Sequence, residues 1–145
     1  MLVGACVFLF NEKSQILLQH RADNDLWGCP GGITDVDELV EQTAMRELFE
    51  ETGVQLDAVK LVGVASGAAM RYVYPNGDDT SNVCIVFCAQ VPSSTPIARD
   101  EESHELRWVD LPALGFPMSP PSAHMFERFR PDDVYNQFFG TKQAS

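Results

Sequence analysis

Basic residues are scarce in this chain: 10 lysines and arginines stand against 21 aspartates and glutamates, for a formal charge of -11. Such an acidic balance argues against tracking a nucleic-acid backbone, because phosphates are repelled instead of releasing counterions. No DNA or RNA duplex partner is therefore expected. Long apolar runs are also missing. None approaches the roughly 20 residues that span a bilayer as a helix, so no membrane partner is expected either. The opening Met1-Leu2-Val3-Gly4-Ala5-Cys6 has no basic n-region and no cleavage site, which reads as no signal peptide and a cytoplasmic location. Closely paired cysteines are lacking too. Cys6, Cys29, Cys84 and Cys88 form no CxxC and read as buried thiols in a reducing compartment. A zinc site from Cys84, Cys88 and a histidine lacks the short paired spacings such sites use. Repeats, low-complexity tracts and linkers are absent, so residues 1–145 read as one domain. Its core is expected over about 3–130, followed by a loosely held C-terminal tail.

What is present divides into short elements. Residues 3–10 are a continuous apolar run, residues 11–14 a turn, and residues 15–20 a second strand, which together suggest an opening hairpin. Residues 22–37 are dense in Asp, Asn, Gly and Pro and read as a long loop, a feature that is usually functional inside a compact domain. A helix is expected from Glu38 to about Thr52, stopped by Gly53. Residues 59–65 and 70–74 read as strands, and Pro75-Asn76-Gly77-Asp78 as a hairpin turn. Residues 82–91 are apolar on both faces, as in a central strand covered on both sides. A polar loop, a short strand over 105–109 and a second helix over 119–129 complete the chain. The fold class that follows is α/β, a mixed sheet sandwiched between helices.

The expected helix concentrates acids. At about 100° per residue, Glu47, Glu50 and Glu51 project within a narrow arc, beside a stripe of Val40, Ala44 and Leu48. Glu51 falls inside the edge of that stripe and should be partly shielded from water. Like charges at these spacings repel by a few tenths of a kcal/mol on an exposed helix, and shielding raises the cost unless a cation compensates. Arg46 can reach Glu50, but one arginine does not neutralise three acids. A solvated acidic face is the bland alternative. The preceding Pro30-Gly31-Gly32 shifts the balance, because glycines let main-chain carbonyls approach a ligand and lead into a helix start that favours anions. Mg²⁺ or Mn²⁺ is the matching cation for oxygen ligands.

The segment from Gly32 to Val54 resembles the Nudix box at every defining position: glycine, five residues, glutamate, seven residues, then Arg46-Glu47-Leu48-Phe49-Glu50-Glu51-Thr52-Gly53-Val54. Gln15–Arg21, Trp27 and Glu105-Leu106-Arg107-Trp108 look like flanking family features, and Tyr74–Asp78 is similar to a segment of bacterial MutT-like members. The resemblance implies a Nudix fold and hydrolysis of a diphosphate linkage in a nucleoside diphosphate derivative or nucleoside triphosphate. It implies that Glu47, Glu50 and Glu51 are cation ligands, that the Gly32 region adds a carbonyl, and that Arg46 orients the glutamates. Glu38 is implied as an auxiliary ligand or a support for the others. The resemblance leaves the proton acceptor open between Glu47 and a glutamate outside the box, for which Glu101 or Glu102 is the candidate; Glu102 is a further candidate ligand, and a solvated loop acid is the alternative for both. Asp37 departs from the glycine that many members carry there, which puts the local loop shape in question.

Substrate contacts are expected at Gly31 and Gly32. Arg21 and Arg71 could meet phosphate, with exposed strand arginines the equal alternative, and Trp27, Tyr72 and Tyr74 could stack a base, with packing or sheet surface at least as good a reading. The rival function is a non-catalytic Nudix domain that senses a nucleotide, which predicts loss of a box glutamate; this chain keeps them all. Apolar strand surface is compatible with a homodimer.

Overall fold

A computed structural model describes residues 1–140. Eight strands form one mixed sheet: β1 (Leu2–Phe10), β2 (Gln15–Arg21), β3 (Trp27–Gly28), β4 (Gly31–Ile33), β5 (Lys60–Ala65), β6 (Arg71–Val73), β7 (Asp79–Gln90) and β8 (Ser103–Asp110). Three helices accompany them: α1 (Val40–Thr52), α2 (Pro120–Arg128) and α3 (Pro131–Phe139).

β1 and β7 run parallel in unbroken register from Leu2↔Asn82 to Phe10↔Gln90, and β7 carries β5 on its other edge. The expected central strand is therefore central. Its neighbour β1 is apolar throughout because both faces are covered. Cys6, Phe8 and Phe10 point into a core shared with α2 and α3, while Ala5, Val7 and Leu9 point into one shared with α1. The α/β/α sandwich expected from the sequence is the architecture observed.

Three expectations need correction. The opening hairpin closes at a single pair, Phe10↔Ile16. Beyond it the strands part, because β4 takes the edge of β1 at Gly4–Cys6 while β2 pairs with β8 along most of its length. The long loop 22–37 consequently contains β3 and β4, strands too short to show a period in sequence. The tail expected after about residue 130 begins instead with α3, whose Val134 is buried and whose Tyr135 and Phe139 rings meet Phe10 at 5.3 and 5.9 Å. Pro131 at its first turn and Asp132 and Asp133 beside the positive helix end favour that start. Residues 141–145 of the expected tail lie outside the described residues.

α1 begins two residues later than expected. Asp37 takes a left-handed φ of 65°, the conformation for which glycine is the usual residue. The tight turn keeps its shape, and Glu38 stays outside the helix. Gln42 Oε1 accepts the Leu39 N–H at 3.0 Å at the helix start. Gly53, at φ 77°, ends it by donating to the Phe49 carbonyl, as the sequence indicated.

Candidate active site

Two adjacent glycines create the site, for different reasons. A Cβ on Gly31 would press on the backbone of the paired strand, 2.5 Å from the Ala5 carbonyl oxygen and 2.8 Å from Cys6 Cα. A Cβ on Gly32 would overlap the carboxylate of Glu47. Gly31 thus permits β4 to pair with β1, and Gly32 permits an acid from α1 to lie directly on the β4 backbone.

Glu51 sits deeper than the helical arc suggested. It is 2% exposed, and its Oε1 accepts the Gly31 N–H at 3.0 Å. Burial, and then the neighbouring Glu47 charge, push its pKa up to about 9. Burial also raises Glu47, against the pull of Arg46. Two carboxyls that burial holds toward the neutral form therefore face the same space, and the Glu47 charge further disfavours ionisation of Glu51.

Arg46 gathers the surrounding acids. Its guanidinium donates to Glu38 at 2.7 Å, Glu47 at 3.0 Å and Glu50 at 3.3 Å. Glu38 is fully engaged: Arg46, the Thr43 hydroxyl and the Asp35 N–H all donate to its two oxygens. The Arg46 hydrogen bonds, above all, lower its pKa to about 2. Glu38 anchors Arg46 and has little capacity left for a cation.

The site opens into a cavity of about 560 Å³. Arg21, Gly31, Gly32, Arg46, Glu47, Glu51 and Glu102 all line it. Glu50 and Glu101 do not. Arg71 is outside as well, held on the surface by Asp79 at 2.9 Å. Trp27 is buried and turned into packing, with His20 stacked on it at 4.6 Å and the Arg107 guanidinium 5.0 Å over its ring. Neither Arg71 nor Trp27 lines the cavity. The surface ion pair takes one side chain, and the His20–Trp27–Arg107 stack takes the other. Tyr72 and Tyr74 do line the cavity, edge to face at 4.9 Å. Thr80, Asn82 and Cys84 also line it, a period-two series on β7 that could have been read as one strand face. Met125 and Ser122 of α2 arrive from far along the chain and left no local signal.

Among the described residues, no three Asp, Glu, His or Cys side chains converge as a ready-made metal cage. The donors nonetheless fit a hard cation that keeps much of its shell for water and phosphate. Glu47 and Glu51 offer oxygens, the Gly32 backbone lies against Glu47, and the cost of ionising these buried acids is what a divalent charge relieves.

Comparison with known proteins supplies independent findings. The NUDIX domain model matches residues 2–129. A Bacillus subtilis protein named as a provisional 8-oxo-dGTP diphosphatase is 32% identical over 88% of this chain and 78% of its own. A Mycobacterium tuberculosis protein of similar name is 33% identical, and this chain spans 54% of its length. A MutT protein structure from Methanosarcina mazei superposes with a TM-score of 0.73 at 24% identity, covering 94% of this chain and 95% of that one. The NUDIX domain of Shewanella oneidensis NrtR, solved with ADP ribose, gives 0.70 at 22% identity over 88% and 85%. These last two are likenesses of fold.

Proposed function

This chain belongs to the Nudix hydrolase family, and from that premise we propose that it hydrolyses the diphosphate linkage of a nucleoside triphosphate or nucleoside diphosphate derivative with the help of Mg²⁺ or Mn²⁺. The observation that carries the reading is the buried Glu51 beside Glu47, an acid pair whose joint ionisation needs a cation. A divalent ion bound there would offset charge on the phosphate oxygens and lower the pKa of an attacking water.

The chain's own groups divide the remaining work. Glu47 and Glu51, with the Gly32 carbonyl, present the oxygens, and Glu50, outside the cavity lining, is paired with Arg46. Arg46 keeps Glu47 aligned while Glu38 keeps Arg46 in place. Glu102 takes the proton as water oxygen bonds to phosphorus and the P–O bridge breaks. Arg21 lies where a phosphate would pass, and Tyr72 and Tyr74 offer aromatic surface to the organic part of the substrate. The names of the relatives suggest 8-oxo-dGTP and ADP ribose as the first substrates to try.

The test is a screen of nucleoside triphosphates, 8-oxo-dGTP, ADP ribose and nucleotide sugars with Mg²⁺ or Mn²⁺, identifying both products. Cation-dependent cleavage between two phosphorus atoms, abolished by a chelator and by Glu51→Gln, is the expected result. Chelator-resistant turnover, or near-normal turnover by Glu51→Gln at saturating Mg²⁺, would overturn the assignment.

A further inference from the structure

One buried polar side chain has no part in the mechanism above. Gln19 lies on β2 with no exposed surface, among Ile16, Leu17 and Leu18. Its Nε2 donates to the Ser103 hydroxyl at 2.6 Å, and Ser103 is itself buried. Its Oε1 has no partner among the described residues. An amide with an orphaned acceptor is costly in such a place, and a hydrocarbon of the same length would fill it without that penalty.

The bond to Ser103 lies where the sheet changes register. β2 pairs with β8 as Gln19↔Leu106 and His20↔Glu105, and then jumps to Arg21↔Ser103. An extra residue, His104, is thereby accommodated opposite the junction. Such bulges redirect the side chains beside them. Here those are Arg21 on one strand and Glu102 just before the other, and both line the cavity. Further bonds tie the same corner together. The Ala22 N–H donates to the Glu102 carbonyl at 2.8 Å, the Arg99 guanidinium to the Ser103 carbonyl at 3.1 Å, and the Glu102 N–H to Asp100 Oδ1 at 3.0 Å. Except at Ser103, all of these lie at the surface or half-buried. The Gln19–Ser103 bond is the one that fastens the corner to the interior.

We propose that Gln19 is a positioning residue, which through Ser103 holds the bulge so that Glu102 and Arg21 face the diphosphate. The proposal rests on the roles given above to Glu102 and Arg21. A small displacement of a reacting group suffices to slow catalysis strongly, so the brace should act on turnover more than on binding.

Gln19→Met removes the amide at nearly constant shape, and Ser103→Ala removes its partner, whereas Ser103→Thr keeps a hydroxyl. Gln19→Met and Ser103→Ala are expected to fold and to lower kcat by about 10- to 100-fold with KM within about 3-fold. Ser103→Thr should retain most of the activity. Adding Gln19→Met to Glu102→Gln should cost less than Gln19→Met costs in the parent chain, since part of its effect runs through that carboxylate and only the part through Arg21 is left. Amide hydrogen exchange at Ala22 and Glu102 should accelerate in Gln19→Met while α1 keeps its protection. Unchanged kcat, a full multiplicative loss in the double variant, or unchanged exchange at both amides would overturn the brace. The exchange measurement decides it even if the substrate screen finds no turnover, a result that would count against the hydrolase reading alone.

Discussion

Glu51 concentrates the conflict between stability and chemistry. Its carboxyl is neutral in both folded and unfolded chains below its ordinary pKa of 4.5. Between 4.5 and about 9 only the unfolded chain ionises it freely, so the cation-free protein should lose stability as pH rises through that window and level off above it. Melting curves in chelator from pH 5 to 9 measure this. Glu51→Gln should flatten the trend and melt a few degrees higher near pH 8, while kcat falls by about 100-fold or more. A wild-type melting temperature that climbs over that range would show the burial argument to be wrong. The paired glycines make a second contrast. Gly32→Ala should fold, because a side-chain carboxylate can swing away, yet lose about 100-fold in kcat as Glu47 is displaced. Gly31→Ala meets backbone instead and should cost about 1–3 kcal/mol in urea unfolding. Arg71→Ala should leave kcat/KM within about 2-fold, since a surface ion pair contributes little.

At the scale of elements, the turn before α1 and the helix at the end of the described chain carry the testable content. Glu38 has its pKa lowered to about 2 by Arg46, Thr43 and Asp35. The support it supplies is therefore complete above its ordinary 4.5 and is lost as pH falls toward 2, which acid titration of Glu38→Gln beside the parent chain should reveal as a missing transition. α3 carries little helical signal in sequence, because its nine residues include two aspartates and its apolar face gains purpose only when Phe10 and Lys60 stand opposite. Lys60 lies 5.2 Å over the Phe139 ring. A chain ending at Arg130 should uncover Phe10 and lose on the order of 3 kcal/mol or more, read as a lower urea midpoint. An unchanged midpoint would mean that α3 merely rests on the core. β3 and β4 leave no pattern in the sequence for a related reason: strands of two and three residues exist only through their partners.

For the whole molecule, a formal charge of -11 surrounds a cavity that, on the proposed function, admits an anion. Divalent cations should reconcile the two. If Glu51 is the proposed ligand it must ionise to serve, so Mg²⁺ or Mn²⁺ binding near pH 7.5 should release protons. It should also raise the melting temperature, by an amount equivalent to about 2.7 kcal/mol at a hundredfold excess over Kd. The rise should be larger at pH 8.5 than at pH 6, since the relieved penalty grows with pH. Calorimetry in two buffers of different ionisation enthalpy measures the protons, and an identical heat in both would contradict the coupling.

Local chemistry, by itself, determined the parts of this protein that neighbours in sequence decide. The arc of Glu47, Glu50 and Glu51, the stop at Gly53, the turn at Asn76-Gly77 and the two-faced apolar runs of β1 and β7 all follow from period, propensity and charge. Tertiary structure alone decided which acids meet the cavity. It left Glu50 outside the cavity lining, spent Glu38 on Arg46, brought Glu102 in across a β-bulge, and diverted Trp27 and Arg71 to packing and the surface. Helical spacing limits where a side chain can point. Whether it reaches water, an ion pair or a shared cavity depends on strands and helices dozens of residues away, whose approach no local pattern records.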